Sequence, residues 1–210
     1  MSIYRHLLLS IFTCFLAGCG SLSNPKNKLE DFGTVGDFSF SERSGINISQ
    51  EDLIGKVWLA SFVFTRCTGP CPQVCATLAR LQLNLKDLPD LRVLTFTVDP
   101  ERDDPKELSR YADNFQADPK RWFFLTGKEE QLHQLIKEKF HLAVGRNIPE
   151  ESKPGSEFIH SPRITLVDKK GHIRGYFEAT PTSFEGKPVD NFDENIKRLE
   201  SNIRNLASEN

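Results

Sequence analysis

The sequence predicts an α/β protein with a central mixed β-sheet flanked by helices. Apolar runs at 57–65 and 91–98 have the composition of buried strands, and each is followed by a segment with apolar residues at helical spacing. Such alternation of strand and helix is typical of parallel sheets. Near the C-terminus, two strand-like runs flank the pair Lys170-Gly171, which indicates an antiparallel hairpin. A sheet that contains both kinds of connection is mixed.

The first half of the domain runs from an edge strand to a long helix. In chain order we predict an edge strand at 38–40, a helical turn at 50–55, a strand at 57–65 and a helix at 72–88. The edge strand alternates Phe-Ser-Phe, as a half-buried strand does, and the helical turn ends at a glycine. The helix is supported by four leucines spaced three or four residues apart: Leu78, Leu81, Leu85 and Leu88.

The second half begins with a helix whose start is marked in the sequence. Asp104 is a candidate N-cap, Pro105 suits the first helical position, and Glu107 lies three residues after the cap. We expect this helix to reach about Phe115. The elements that follow are a strand at 122–125, a helix at 128–140, a long polar loop at 145–161, hairpin strands at 164–167 and 173–177, and a closing helix at 190–206. A loop of that length is more often functional than idle.

The N-terminus is predicted to be a targeting segment. Residues 7–16 are mostly apolar but too few for a membrane-spanning helix, which needs ~20 residues. They lead into Leu-Ala-Gly-Cys at 16–19, which resembles the bacterial lipoprotein signal, where cleavage precedes the cysteine and lipid is attached to it. An ordinary secretory signal and an uncleaved anchor are the alternatives. We predict a signal peptide at 1–18, a flexible tether at 19–36 and a single domain at 37–208.

This organisation predicts an exported protein on the periplasmic or other extracytoplasmic side, lipid-anchored to the membrane at Cys19.

The chain has 27 basic and 29 acidic residues and a net charge of −2, so no basic excess points to nucleic acid as a partner. Of five cysteines, Cys14 lies in the signal, and Cys67, Cys71 and Cys75 remain in the domain. Three clustered thiols do not make a framework of several disulfides.

Cys67 and Cys71 lie where a buried strand gives way to a helix. The partial positive charge at a helix N-terminus lowers the pKa of a thiol there. Two such thiols can form a disulfide, attack one, or hold a soft metal such as Cu(I). Two buried cysteines that only fill space are the structural alternative. Cys75, one turn further on, is interpreted as a buried helix residue, with a resolving thiol or a third metal ligand as alternatives.

His160 is the candidate third ligand, because it ends the long loop directly before a hairpin strand. If that loop faces the start of the thiol-bearing helix, two thiolates and one imidazole form a suitable set for Cu(I). The other histidines of the domain are expected elsewhere: His133 on a solvated helix face, His141 after a helix end and His172 in an exposed turn.

Three ordered motifs carry a resemblance to a known family. They are Phe-Thr-Arg-Cys-Thr-Gly-Pro-Cys-Pro at 64–72, Val-Asp-Pro-Glu-Arg-Asp at 98–103 followed by Pro105, and His-Ser at 160–161 before a strand. Together they resemble the Sco/SenC family of copper chaperones. The resemblance implies a thioredoxin-like fold and copper, as Cu(I) or Cu(II), bound by Cys67, Cys71 and His160. In the oxidised state Cys67 and Cys71 would form a disulfide.

The same resemblance implies a metallochaperone rather than an enzyme. Its role would be to deliver copper to, or to reduce, the CuA site of cytochrome c oxidase. The expected partner is the oxidase subunit that carries CuA, or another periplasmic copper chaperone. Asp99, in the second motif, could orient a ligand or a loop as a hydrogen-bond acceptor, or could simply form the turn before Pro100.

Features that depart from the family pattern keep a redox alternative open. The Thr-Gly-Pro insert between the thiols is not the common one, Cys75 is additional, and Pro162 lies where thiol oxidoreductases often carry a cis-proline. The main rival is therefore an exported thiol–disulfide oxidoreductase or peroxide-reducing enzyme with Cys67 as nucleophile and Cys71 as its redox partner. A weaker alternative is a structural zinc module built on Cys67, Cys71 and Cys75.

Overall fold

The structure is a computed structural model that describes residues 29–148, 153–181, 183–184, 187–188 and 191–209. The predicted signal peptide, Cys19 and the first part of the predicted tether lie outside the described residues. Within these ranges, no helix has both the length and the apolar character needed to cross a membrane.

A mixed sheet forms the centre of the domain, as predicted, and it has seven strands. Its strands are β1 (Ser39–Glu42), β2 (Asn47–Ser49), β3 (Trp58–Val63), β4 (Arg92–Thr97), β5 (Trp122–Thr126), β8 (Arg163–Val167) and β9 (Ile173–Glu178). Their order across the sheet is β2-β1-β5-β4-β3-β8-β9. β3 pairs in parallel with β4, and β4 with β5, whereas β8 is antiparallel to both β3 and β9. The predicted hairpin is therefore the pair β8–β9.

Four α-helices accompany this sheet in the described part of the chain. They are α1 (Cys71–Asn84), α2 (Pro105–Asp113), α3 (Glu129–Gln134) and α4 (Phe192–Ser208), and a short 3-10 helix covers Glu51–Leu53. The chain continues from α3 as a π-helical segment, Leu135–Lys139, where a single helix was predicted at 128–140. That segment ends at Phe140, which is fully buried.

The core fills both faces of the sheet, since every residue of β3 is buried. Aromatic rings make up much of one layer: Phe62 lies 5.0 Å from Phe140 and 5.7 Å from Phe96, measured between ring centroids. Most phenylalanines in the described part of the chain are thus core residues, because large rings remove much apolar surface from water.

The segment predicted as a long loop at 145–161 is partly a β-ribbon, so that prediction was wrong at both ends. β6 (Val144–Arg146) pairs antiparallel with β7 (Phe158–His160), with Val144 opposite His160. Strands of three residues are too short to leave a periodic pattern in the sequence. A second small ribbon joins β10 (Ser183–Phe184) to β11 (Lys187–Pro188), which was not predicted.

Residues 29–36, assigned to the tether, lie against the domain. Val35 is fully buried, and its backbone N–H donates to the Gly171 carbonyl over 3.0 Å. The Phe32 N–H donates to the Ile173 carbonyl at the same distance. The hairpin β8–β9 therefore holds the last part of the predicted tether.

The predicted N-cap of α2 is confirmed, because the Asp104 carboxylate accepts from the Glu107 N–H over 2.8 Å. We expect Asp104→Ala to lower the free energy of unfolding by about 1 kcal/mol, since a free helix N–H loses its partner. Urea unfolding of the domain measures this. Asp113→Ala, at the other end of the helix, is the control, and equal losses in the two variants would contradict a capping role.

Candidate metal centre

The two thiols lie at the junction between the central strand β3 and α1. Cys67 is half-buried on that loop, and its N–H donates to the Phe64 carbonyl over 3.2 Å. Cys71 is the first residue of α1, directly after Pro70 at the N-cap, and it is fully buried. Proline fits here because the first helical N–H groups have no partner within the helix. Both thiols are free.

His160 reaches the thiols from the end of β7. Its Nε2 atom lies 3.1 Å from the Cys71 Sγ atom, and its Nδ1 atom lies 3.3 Å from the Ser161 carbonyl oxygen. The ring packs edge-on against Phe64, with 5.8 Å between centroids. The ligand atoms of Cys67, Cys71 and His160 all lie within 4.8 Å of one another. The structure therefore brings the three predicted metal ligands together.

The two thiols differ strongly in acidity. A hydrogen bond from Cys71, assisted by His160 and opposed by burial, lowers the pKa of Cys67 to about 4. Burial, together with the neighbouring Cys67 sulfur, raises the pKa of Cys71 far above the ordinary thiol value. At neutral pH Cys67 is thus a thiolate, and Cys71 is a thiol that donates to it.

A buried carboxylate, Asp103, holds the start of the thiol loop. Its oxygens accept from the Thr65 backbone N–H over 3.0 Å and from the Thr65 hydroxyl over 2.5 Å. A third hydrogen bond, of 2.5 Å, comes from the Thr97 hydroxyl at the end of β4. Asp103 is fully buried, and that burial raises its pKa although the three donors lower it. The sequence shows Asp103 only as the last residue of the second motif, so its contact with Thr65 was missed.

Asp99, the candidate for orienting a ligand or a loop, makes its contacts within its own segment of the chain. Its carboxylate pairs with Arg102 over 2.9 Å, and its N–H donates to the Thr97 hydroxyl over 3.0 Å. The described residues give its side chain no hydrogen bond to a thiol or to His160. Through Thr65, it is Asp103 that contacts the thiol loop.

The loop between β6 and β7 contacts the thiol loop directly. The Thr68 N–H donates to the Gly155 carbonyl over 3.1 Å. Gly155 has a φ of +87°, and a Cβ atom there would overlap the Thr68 side chain and come within 2.8 Å of the Arg66 carbonyl oxygen. Only glycine combines this backbone conformation with so close an approach.

The remaining sequence candidates lie outside the three-ligand cluster. Cys75 is fully buried, and burial raises its pKa to about 12, which agrees with a packing role. His133 is half-buried and donates to the Val98 carbonyl over 2.9 Å, so its predicted solvated position was wrong. His172 lies 2.9 Å from the Asp31 carboxylate at the surface.

The described residues contain no cis peptide bond, so the bond before Pro162 is trans.

The mixed sheet, the thiols at the start of α1 and the facing histidine define a thioredoxin-like protein with a thiol–histidine site. A sequence model of the SCO1/SenC family matches residues 26–185. The chain belongs to this family.

Relatives and a solved structure agree with this assignment. The SCO1 protein homolog of Bacillus subtilis is 32% identical over 200 residues, which cover 94% of this chain and 97% of that protein. A candidate copper-binding protein of Stutzerimonas stutzeri is 29% identical, covering 88% of this chain and 91% of the relative. The solved structure of BsSco, described with a disulfide switch and as a member of the Sco family of cytochrome c oxidase assembly proteins, superposes with a TM-score of 0.69. It is 27% identical and covers 87% of this chain and 99% of its own.

The acidity of Cys67 predicts an alkylation rate that hardly depends on pH. Between about pH 6 and pH 8 the rate with iodoacetamide should stay nearly constant, because Cys67 is already a thiolate. Cys71→Ala removes the donor that lowers this pKa, so the rate at pH 6 should fall. Peptide mass spectrometry locates the label, with Cys75→Ala as the control. A wild-type rate that rises ~tenfold per pH unit would mean an ordinary thiol.

The close approach at Gly155 predicts a penalty for any side chain there. We expect Gly155→Ala to destabilise the domain by ~1–3 kcal/mol, because the backbone conformation and the overlap with Thr68 both oppose it. Urea unfolding measures the loss. Gly145→Ala is the matched control, since a Cβ atom at Gly145 meets nothing within 4 Å. Equal stability of the two variants would show that the loops do not need this contact.

Proposed function

We propose that this protein is an exported copper chaperone that holds one copper ion between Cys67, Cys71 and His160. The observation that carries the proposal is that the three ligand atoms lie within 4.8 Å of one another. A cluster this tight needs only small side-chain adjustments to share one ion.

The chemistry of the three donors supports copper over harder or higher-coordinate metals. Sulfur ligands and imidazole suit Cu(I), which accepts few ligands, whereas a structural zinc site usually has four. In the described residues no carboxylate joins the cluster, and neither does Cys75, so the alternative of a zinc module on Cys75 has little support. Metal binding must displace the proton of Cys71, so copper affinity should rise with pH.

The partner and the location follow from the family and the N-terminal sequence. BsSco belongs to the cytochrome c oxidase assembly proteins, which supports a role in assembling the CuA centre here. This chaperone would supply copper to the oxidase subunit that carries CuA, or would exchange copper with another periplasmic chaperone. Lipid on Cys19 would hold the domain at the extracytoplasmic membrane surface, within reach of a membrane-bound partner.

A second role, thiol–disulfide exchange, is favoured by one observation: Cys67 is both half-exposed and strongly acidic. Its thiolate would attack a substrate disulfide, form a mixed disulfide and release one substrate thiolate. Cys71, after losing its proton, would attack the Cys67 sulfur, release the second substrate thiolate and leave the disulfide Cys67–Cys71. Two electrons pass from the pair to the substrate, and copper binding and this reaction would compete for the same thiols.

Substitution of each ligand in turn tests the copper site. We expect Cys67→Ala and Cys71→Ala to abolish tight Cu(I) binding, and His160→Ala to weaken it ~10-fold or more, because each removes a donor. Cys75→Ala and His141→Asn, whose residues lie outside the cluster, are the controls. Anaerobic competition with a chromophoric Cu(I) chelator gives the affinities.

Unchanged affinity in His160→Ala would remove the histidine from the site. Strong loss in Cys75→Ala would move the site one turn along α1. Reduction of a disulfide substrate without metal, at a rate that survives His160→Ala, would favour the oxidoreductase role instead.

A further inference from the structure

Arg146 joins the ribbon that carries His160 to the rest of the domain. It is the last residue of β6, and its guanidinium meets two carboxylates on different elements. Its Nε and Nη2 atoms lie 3.0 and 2.5 Å from the two oxygens of Glu129, the first residue of α3. Nη2 also lies 3.0 Å from Glu101, in the loop after β4. One side chain thus connects the ribbon both to α3 and to the loop after β4.

The same guanidinium lies over an aromatic ring of the facing strand. Arg146 is opposite Phe158 in the β6–β7 register, and its Cζ atom is 5.1 Å from the centroid of that ring. Phe158 packs against Phe64 at 5.5 Å, and Phe64 packs against His160 at 5.8 Å. Arg146 is therefore connected to the His160 imidazole through the contacts of two aromatic rings, Phe158 and Phe64.

The loop that contains Glu101 also contains Asp103, which holds the thiol loop through Thr65. The thiol loop and the histidine ribbon are consequently attached to the same short segment, through Asp103 and Glu101. If the attachment of Arg146 is lost, the ribbon keeps the backbone bond from Thr68 to Gly155 but loses its charged anchor.

We propose that Arg146, clasped between Glu101 and Glu129, is a positioning residue that holds His160 against the thiols. This inference rests on the proposed copper site for its consequence, but the restraint on the ribbon exists without metal. The side chain of Arg146 is 45% exposed, so salt screens its ion pairs with Glu101 and Glu129. Ligand geometry, and with it copper affinity, becomes sensitive to ionic strength through a residue that is not a ligand.

The test compares Arg146→Gln and Arg146→Lys with a matched control, Arg204→Gln. Arg204 is 46% exposed and pairs through both terminal nitrogens with Asp87, and neither residue belongs to the ribbon or pairs with it. The first measurement is amide hydrogen exchange on the reduced, metal-free domain. In Arg146→Gln the paired amides of β6 and β7 should exchange about 3- to 10-fold faster. Loss of exposed ion pairs of this kind should raise the equilibrium constant for local opening of the ribbon by roughly that factor.

The second measurement is Cu(I) affinity by chelator competition at low and at ~1 M salt. Arg146→Gln should bind about 3- to 10-fold more weakly than wild type at low salt, and the difference should shrink at high salt, where charges are screened within ~3 Å. Arg146→Lys should recover part of the affinity, because a point charge still attracts both carboxylates but cannot form the two-pronged contact. Arg204→Gln should match wild type in both measurements.

Unchanged exchange in the ribbon of Arg146→Gln would overturn the positioning role, whatever the copper result. Faster exchange with unchanged affinity would also overturn it, since the ribbon would then not govern the ligand. A wild-type domain that binds no Cu(I) would refute the copper chaperone, while the exchange data would still decide whether Arg146 restrains the ribbon.

Discussion

The thiol site depends on one buried carboxylate. Asp103 is removed from water, which is costly for a charged group, and three hydrogen bonds from Thr65 and Thr97 offset that cost. Thr65 lies two residues before Cys67, so these bonds fix the point at which the chain leaves β3 and enters the thiol loop. From there the loop reaches α1, whose first residue, Cys71, lies close to Cys67.

Burial then makes two chemically identical side chains different. Cys71 is enclosed and keeps its proton, whereas Cys67 is half-exposed and accepts that hydrogen bond as a thiolate. A single deprotonated sulfur that is open to solvent suits both a first contact with an incoming Cu(I) ion and an attack on a disulfide. The two proposed roles therefore share a starting state, and His160 is the residue that separates them.

Local sequence was sufficient for the parts of this fold that local chemistry determines. Apolar runs and the spacing of apolar residues were enough to predict the strands at 57–65 and 91–98 and the thiol-bearing helix. The residue types of the first helical turn were enough to predict the cap at Asp104. The three ligands could be named together because their motifs resemble those of a known family, and that resemblance implies a shared site. The β6–β7 ribbon, by contrast, consists of strands of three residues, which are too short to show a periodic pattern in the sequence. The contacts of Asp103, Gly155 and Arg146 join residues that are far apart in the chain, so spacing could not reveal them.

The proposed function requires one copper ion to be shared by two sulfurs and one imidazole nitrogen. X-ray absorption at the copper edge of the reduced domain, loaded with one equivalent of Cu(I), tests it most directly because it counts the atoms bound to the metal. We expect two sulfur neighbours and one nitrogen neighbour, from Cys67, Cys71 and His160. Three sulfur neighbours, or two sulfurs with no nitrogen, would contradict the account.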